Sequence, residues 1–427
     1  MKRRLSPGSV IALGFCGLIL LGAVLLRLPC ASAASQPVRF FDALFTATSA
    51  SCVTGLVVVD TGTTWSGFGK AVILLLIQFG GLGVAAVGTC IAVISGNGVS
   101  LRDRTLLKEG WNVSGYGETK GLLKRVLLIT LCCELSGAIL SFFVFIRDYP
   151  PLNAIGLSVF HAVSAFNNAG FDLFGEMRNL TVYGDSAALN LITVFLILSG
   201  GMGYLAILDI LFRRPKQYRL QTKVALCMTL ILTLGGMLLL RLAEPISWMG
   251  AFFQSVTCRT AGFNTWELRA FHPAGLLVMC FLMFVGANPG STGGGTKTTT
   301  LFALSLSAYG TASGKPLHAF RRRIPESVIS KAFTVLIVSL AFLGISLLLL
   351  CLAEPDREFM ELLFEDVSAF CTVGLSIAGT PTLGTGARIV LMFTMLIGRV
   401  GPLTVATMLR YDAAGGWKYS QEGLTIG

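Results

Sequence analysis

Apolar residues gather in eight long segments, at about 8–28, 71–95, 126–146, 188–212, 224–243, 274–309, 332–353 and 387–410. Stretches such as VIALGFCGLILLGAVLLRL (10–28) and VLLITLCCELSGAILSFFVFI (126–146) have the length that crosses a bilayer. Two kinds of connection alternate between them. One kind is basic: 102–125, 213–223 and 315–331, together with the head 2–4 and the tail 410–427. The other holds short, moderately apolar pieces that end in Gly. The basic set carries 21 of the 33 Lys and Arg against six acids. By the positive-inside rule, these connections and both termini are expected on the cytoplasmic side. An ordinary solvated surface does not account for so regular an alternation.

Composition sharpens this picture. Of 427 residues, 54% are apolar and only 13% charged, and the net charge is +11. These values argue against a soluble enzyme, a disordered chain and a nucleic-acid binder. The charge is accounted for by membrane orientation. Most of the eleven cysteines, such as Cys16, Cys132, Cys133 and Cys351, sit inside apolar runs, where a thiol behaves as a small hydrophobe. With three histidines and no C-x-x-C pair, neither a zinc site nor a disulfide scaffold is expected. The start imitates a secretory signal, but its apolar stretch exceeds the usual 7–15 residues, so it reads as the first span.

The acidic-side connections contain one block four times: FTATSASCVTGL (45–56), FHAVSAFNNAGF (160–171), FFQSVTCRTAGF (252–263) and FEDVSAFCTVGL (364–375). Ten residues before each Gly stands Phe45, Phe160, Phe252 or Phe364. Five before it stands Ala50, Ala165, Thr257 or Ala369. Each block lies between two apolar segments. The predicted fold is therefore all-α and polytopic: four parallel helix–pore loop–helix repeats around one pseudo-four-fold pore, with eight spans and four pore helices. The repeats are expected at 1–100, 101–215, 216–315 (second span interrupted) and 316–427 (with the cytoplasmic C-terminus).

The part of each block before the Gly suits a short helix, and the part after it is irregular backbone at membrane depth. Such backbone is tolerated only inside protein or along a watery cavity. Gly there permits positive φ and lets carbonyls turn to one side. Four such loops make a ring able to replace the hydration shell of an alkali cation. The candidate ion-binding residues are Cys52, Val53, Thr54 and Gly55; Asn167, Asn168, Ala169 and Gly170; Arg259, Thr260, Ala261 and Gly262; and Cys371, Thr372, Val373 and Gly374. Thr372–Gly374 is the copy nearest the TVGYG filter of potassium channels. Arg259 is expected to point behind the ring as a brace, because a guanidinium facing the path repels cations. His161, Asn167 and Asn168 read as scaffolding rather than side-chain ligands.

These blocks resemble the Trk/Ktr/HKT superfamily of cation transporters, and within it the KtrB-like potassium-translocating form. QFGGLG (78–83), SGGMGY (199–204), GSTGGGTKTTT (290–300) and GRVGPLT (398–404) extend the resemblance to nearly the whole chain. One span rather than three before the first filter favours the Ktr-like form. The resemblance implies potassium uptake in a bacterial cytoplasmic membrane. It also implies a homodimer with one pore per subunit, and a cytoplasmic ring of nucleotide-binding RCK subunits that gates it. No cofactor is expected on this chain; the nucleotide belongs to the partner, and potassium is the transported ion. Sodium-preferring relatives carry Ser at the first filter Gly, and Gly55 points to potassium. A sodium-preferring or sodium-coupled carrier of the same fold is the alternative. An intramembrane enzyme has no support in an HExxH motif or a carboxylate pair within spans.

GANPGSTGGGTKTTT (286–300) superficially imitates a phosphate loop, but Thr296 separates Gly295 from Lys297. Its Gly, Ser and Thr break a helix in mid-membrane. The resemblance assigns an intramembrane gate to Gly290, Ser291, Thr292, Gly293, Gly294, Gly295, Thr296 and Lys297. It also places Arg399 in the pore beside them, where a fixed charge raises the barrier for cations. A structural pair of Arg399 with Glu134 or Asp209 is the other reading. Lipid headgroups or a regulatory ring account equally for the basic loops 102–125 and 315–323.

Overall fold

The computed structural model describes residues 6–34, 36–94, 105–107, 119–402 and 404–405. The head 2–4, the tail 410–427 and most of the loop 102–125 lie outside the described residues. Among the described residues, fifteen helices of nine or more residues carry the fold. They are α1 (Pro7–Arg27), α2 (Phe40–Cys52), α3 (Gly67–Leu82), α4 (Val84–Ile94), α5 (Thr119–Phe145), α6 (Pro151–Phe166), α7 (Ala187–Gly201), α8 (Tyr204–Phe212), α9 (Leu220–Ala243), α10 (Trp248–Thr257), α11 (Pro273–Val285), α12 (Thr298–Ser313), α13 (Glu326–Ala353), α14 (Phe359–Phe370) and α15 (Thr385–Val400).

α1, α5, α9 and α13 are long and apolar enough to cross a membrane. α1 starts cleanly because Ser6 accepts from the Ser9 N–H and Pro7 fills the first turn. The outer faces of these helices expose large hydrophobics, among them Leu20, Leu21, Leu131, Leu135, Ile337 and Leu348. A belt of this kind is stable against lipid tails and unstable in water.

The short helices α2, α6, α10 and α14 sit inside the long ones, and nearly every residue in their C-terminal halves is buried. α2 packs on α1 and α3, α6 on α5 and α7, α10 on α9, and α14 on α13 and α15. The site is thus held by the innermost layer of helices.

Besides the sixth segment, where an interruption is expected and α11 ends at Val285 with α12 starting at Thr298, two further apolar segments do not run as single helices. Segment 71–95 breaks between α3 and α4 with a bend of 99°, and segment 188–212 between α7 and α8 with one of 102°. The cause is a glycine at positive φ, Gly83 (φ +88°) or Gly203 (φ +87°), which stops the helical hydrogen-bond ladder. α11 likewise ends at Gly286 (φ +63°) and α15 at Gly401 (φ +96°). Earlier glycines in the same motifs have another task. A Cβ at Gly80, Gly200 or Gly398 would press on the carbonyl of Ser51, Phe166 or Phe370. These glycines let the second helix lie against the end of the short one.

A small hairpin between α12 and α13 pairs His318–Ala319 with Arg322–Arg323. Phe320 and Arg321 both take positive φ, as a tight two-residue hairpin turn requires. It lies within the basic stretch 315–323.

Candidate functional site: a ring of glycine loops above a glycine-rich segment

Each short helix delivers its chain into a loop of the same conformation. The residue two before the Gly is left-handed in all four: Val53 (φ +57°), Asn168 (+59°), Thr260 (+75°) and Thr372 (+50°). The glycines follow at φ +96° (Gly55), +67° (Gly170), +79° (Gly262) and +92° (Gly374). Left-handed backbone costs a β-branched residue about 1–3 kcal/mol, and Val53, Thr260 and Thr372 each bear that cost.

The four loops meet. A Cβ on Gly55 would stand 2.5 Å from the Ala169 carbonyl oxygen and 3.2 Å from Gly170 Cα. One on Gly170 would stand 2.8 Å from the Ala261 oxygen and 3.0 Å from Gly262 Cα. One on Gly262 would press on the Val373 carbonyl. One on Gly374 would press on the Thr54 carbonyl, with Gly55 Cα 2.9 Å away. The contacts run first to second, second to third, third to fourth and fourth to first, so the ring closes. No side chain fits at any of the four positions without moving a neighbouring strand.

Serines hold three of the loops. Ser49 Oγ accepts from the Gly55 N–H (3.0 Å), Ser368 Oγ accepts from the Gly374 N–H (3.1 Å), and Ser164 Oγ donates to the Phe171 carbonyl (2.8 Å). Each lies six residues before its Gly, a recurrence present in the sequence but not recognised there. The third copy has Val256 instead.

Arg259 points away from the ring. Its guanidinium donates to the Thr229 carbonyl (3.2 Å), Thr229 Oγ1 (3.3 Å) and Thr233 Oγ1 (3.2 Å), all on α9. His161 Nε2 lies 2.9 Å from Thr193 Oγ1, and its ring packs against Phe145 and Phe263. Asn167 Nδ2 donates to Gln78, to Glu134 (3.0 Å) and to the Val163 carbonyl. The Asn168 amide lies 3.2 Å from Thr260 Oγ1, tying the second loop to the third.

The glycine-rich segment between α11 and α12 lies under this ring and contacts its second, third and fourth units. Asn288 N and Thr292 N donate to the carbonyls of Gly201 (3.1 Å) and Gly200 (3.3 Å), and the Gly290 carbonyl accepts from Tyr204 N (2.9 Å). Gly294 N donates to Thr372 Oγ1 (3.0 Å), and Gly295 N to the Gly398 carbonyl (3.3 Å). Cβ atoms on Gly293 or Gly294 would strike the side chains of Thr260 and Thr372. Lys297 Nζ folds back onto the carbonyls of Gly293 (2.6 Å) and Gly294 (3.1 Å). Thr296 Oγ1 donates to the Phe284 carbonyl.

Arg399 completes the arrangement. Its guanidinium donates to the carbonyls of Thr292 and Gly80, and to that of Gly81 at 3.2 Å. It therefore pins the glycine-rich segment to the end of α3. The alternative pairing with Glu134 or Asp209 is not formed. Glu134 bonds Asn167, and Asp209 accepts from Thr222 Oγ1 (2.7 Å) and lies 3.3 Å from Arg213. Beyond the segment lies a cavity of about 690 Å³, lined by Gly290, Ser291, Gly293–Lys297, Arg399 and Lys331 but by none of the four ring glycines. The segment therefore separates ring from cavity.

The family model of TrkH, described as cation transport protein, matches residues 19–227 and 219–414. The chain is 39% identical to the Ktr system potassium uptake protein B of Bacillus subtilis, over 94% of this chain and 92% of that protein. It is 37% identical to the potassium/sodium uptake protein NtpJ of Enterococcus hirae, over 100% of this chain and 98% of that protein. The crystal structure of the potassium transporter TrkH from Vibrio parahaemolyticus has the same fold, with a TM-score of 0.73 at 20% identity over 96% of this chain and 86% of that one. The chain belongs to the TrkH family of cation transport proteins, and it is a membrane ion transporter rather than an enzyme.

Proposed function

We propose that this chain takes up potassium across a bacterial cytoplasmic membrane, conducting passively through a filter of backbone carbonyls. The observation that carries this reading is the closed ring of Gly55, Gly170, Gly262 and Gly374, each two residues after a left-handed position. Carbonyls brought together at such a ring stand in for the water that a cation leaves behind. Gly55 favours potassium over the sodium-preferring alternative, as does the name of the Bacillus subtilis relative; the printed name of NtpJ, which includes sodium, keeps that alternative in view.

In this reading the fold is four parallel repeats with eight spans, divided at 1–100, 101–215, 216–315 and 316–427. Residues 290–297 and Arg399 form the gate beneath the filter. The functional unit is a homodimer whose basic loops meet lipid and a nucleotide-binding RCK ring. "Ktr system" in the names of relatives supports a multi-subunit assembly. The membrane potential drives entry, at about 2.3 kcal/mol per charge per 100 mV.

Radioactive rubidium uptake into liposomes holding only this chain tests the function. External potassium should suppress the uptake and equal sodium should not; equal suppression by both favours the alternative carrier.

An even number of spans with 2–4 inside places the C-terminus inside as well. A cysteine introduced near Gly427 should resist an impermeant thiol reagent in intact cells. Strong labelling would mean an odd number of spans.

A further inference from the structure

The third loop differs from the other three. Val256 occupies the position of Ser49, Ser164 and Ser368, so no short-helix hydroxyl reaches its strand. Arg259 anchors the near end of this loop to α9. The far end, Gly262–Asn264, is held by a residue from another unit. Asn179 Nδ2 donates to the Gly262 carbonyl (3.3 Å), and Asn179 Oδ1 accepts from the Asn264 N–H (3.2 Å). The amide thus engages a carbonyl and an N–H two residues apart, as a neighbouring β-strand would.

The segment carrying Asn179 is shaped for this reach. Gly175, Glu176, Met177 and Asn179 all take positive φ, at +84°, +54°, +54° and +52°. Asn is among the few residues that tolerate this conformation. Met177 N donates to Asp60 Oδ2 (2.7 Å), which fixes the same segment to the outer loop of the first unit. Asn179 Oδ1 also accepts from the Leu180 N–H (2.8 Å), which sets the side-chain orientation.

We propose that Asn179 is a positioning residue for ion selectivity: it clamps the third strand of the filter from outside the ring, in place of the serine that this repeat lacks. The proposal rests on the carbonyl-filter reading above. Without the clamp the Gly262 carbonyl gains freedom. A ring with one mobile member tolerates the smaller ion, because its carbonyls can close further inward.

Asn179→Gly is the leading variant, since Gly accepts φ +52° without strain and removes only the side chain. Asn179→Asp keeps an acceptor for Asn264 N and replaces the donor with an oxygen that repels the Gly262 carbonyl. In the rubidium assay, both should raise the competition by sodium relative to potassium by about fivefold, which is what one ordinary net hydrogen bond amounts to. Glu176→Ala, in the same segment but exposed, should behave as the parent. Deuterium exchange gives a readout independent of transport: Asn179→Gly should speed exchange in a peptide covering 258–266 and leave 50–57 unchanged. Parent-like competition and exchange in both Asn179 variants overturn the proposal, as does an equal shift in Glu176→Ala. A parent that carries no rubidium, with the exchange change intact, overturns the filter reading instead.

Discussion

Gly55→Ser is expected to raise sodium permeation relative to potassium by about tenfold, equivalent to ~1.4 kcal/mol of lost discrimination. Gly55 holds φ +96°, a region that side chains avoid. Its Cβ would also arrive 2.5 Å from the Ala169 carbonyl oxygen and 3.2 Å from Gly170 Cα. One of the first two strands must therefore retreat, and the ring loses its fit on that side. The change leaves α1, α2 and α3 untouched, so insertion should proceed normally. Rubidium uptake with potassium and sodium as competitors measures the effect. Unchanged competition in protein that reaches the membrane would mean that Gly55 does not belong to the filter.

The second large effect concerns the segment below the ring. Deleting Thr292–Gly295 removes the residues that touch Thr372 and Cys371, and it removes the carbonyl that Arg399 holds. Potassium flux measured without any partner protein should rise on the order of a hundredfold if this segment blocks the path. Arg399→Ala should raise it less, by about tenfold. Two unit charges ~8 Å apart interact by ~2 kcal/mol at an effective dielectric constant of about 20, and the carbonyls of Thr292, Gly80 and Gly81 offset part of the Arg399 charge. The substitution should change rate and leave the potassium-to-sodium preference as it was, because the glycine ring makes no bond to Arg399 among those described. If both variants reach the membrane in normal amounts and neither conducts faster, the segment is no barrier. Should the deletion fail to insert, Arg399→Ala still decides the electrostatic part.

The four blocks were legible because each had to repeat the same local geometry. Phe45, Phe160, Phe252 and Phe364 fill equivalent positions in the short helices, and the ring glycines follow at one spacing. The interruption at 286–300 was legible because many polar and glycine residues gather there. The breaks at Gly83 and Gly203 were not: QFGGLG and SGGMGY hold three glycines each, but no polar cluster like that of 290–300 accompanies them, so the stretches still read as apolar. What stops those helices is the sign of a single φ angle. Arg259 was expected to point behind its loop, since a cation facing the path would oppose transport, and its guanidinium bonds Thr229 and Thr233 of α9. Arg399 was left between two readings, because carbonyl partners such as those of Gly80 and Thr292 carry no mark in a sequence. Asn179 escaped notice for a related reason. Its partners in the third unit stand 83 and 85 residues away, one a backbone oxygen and the other a backbone nitrogen. Such contacts follow from how the units close around an axis, which no single segment specifies.

The central claim is that ions cross a potassium-selective carbonyl ring without coupling to another solute. The same liposomes, with potassium inside and out at unequal concentrations and sodium set against that gradient, give the most direct test when rubidium flux is followed under imposed voltages. Net flux should vanish at the potassium equilibrium potential and stay there when the sodium gradient is reversed. A null point that moves with sodium would contradict the account.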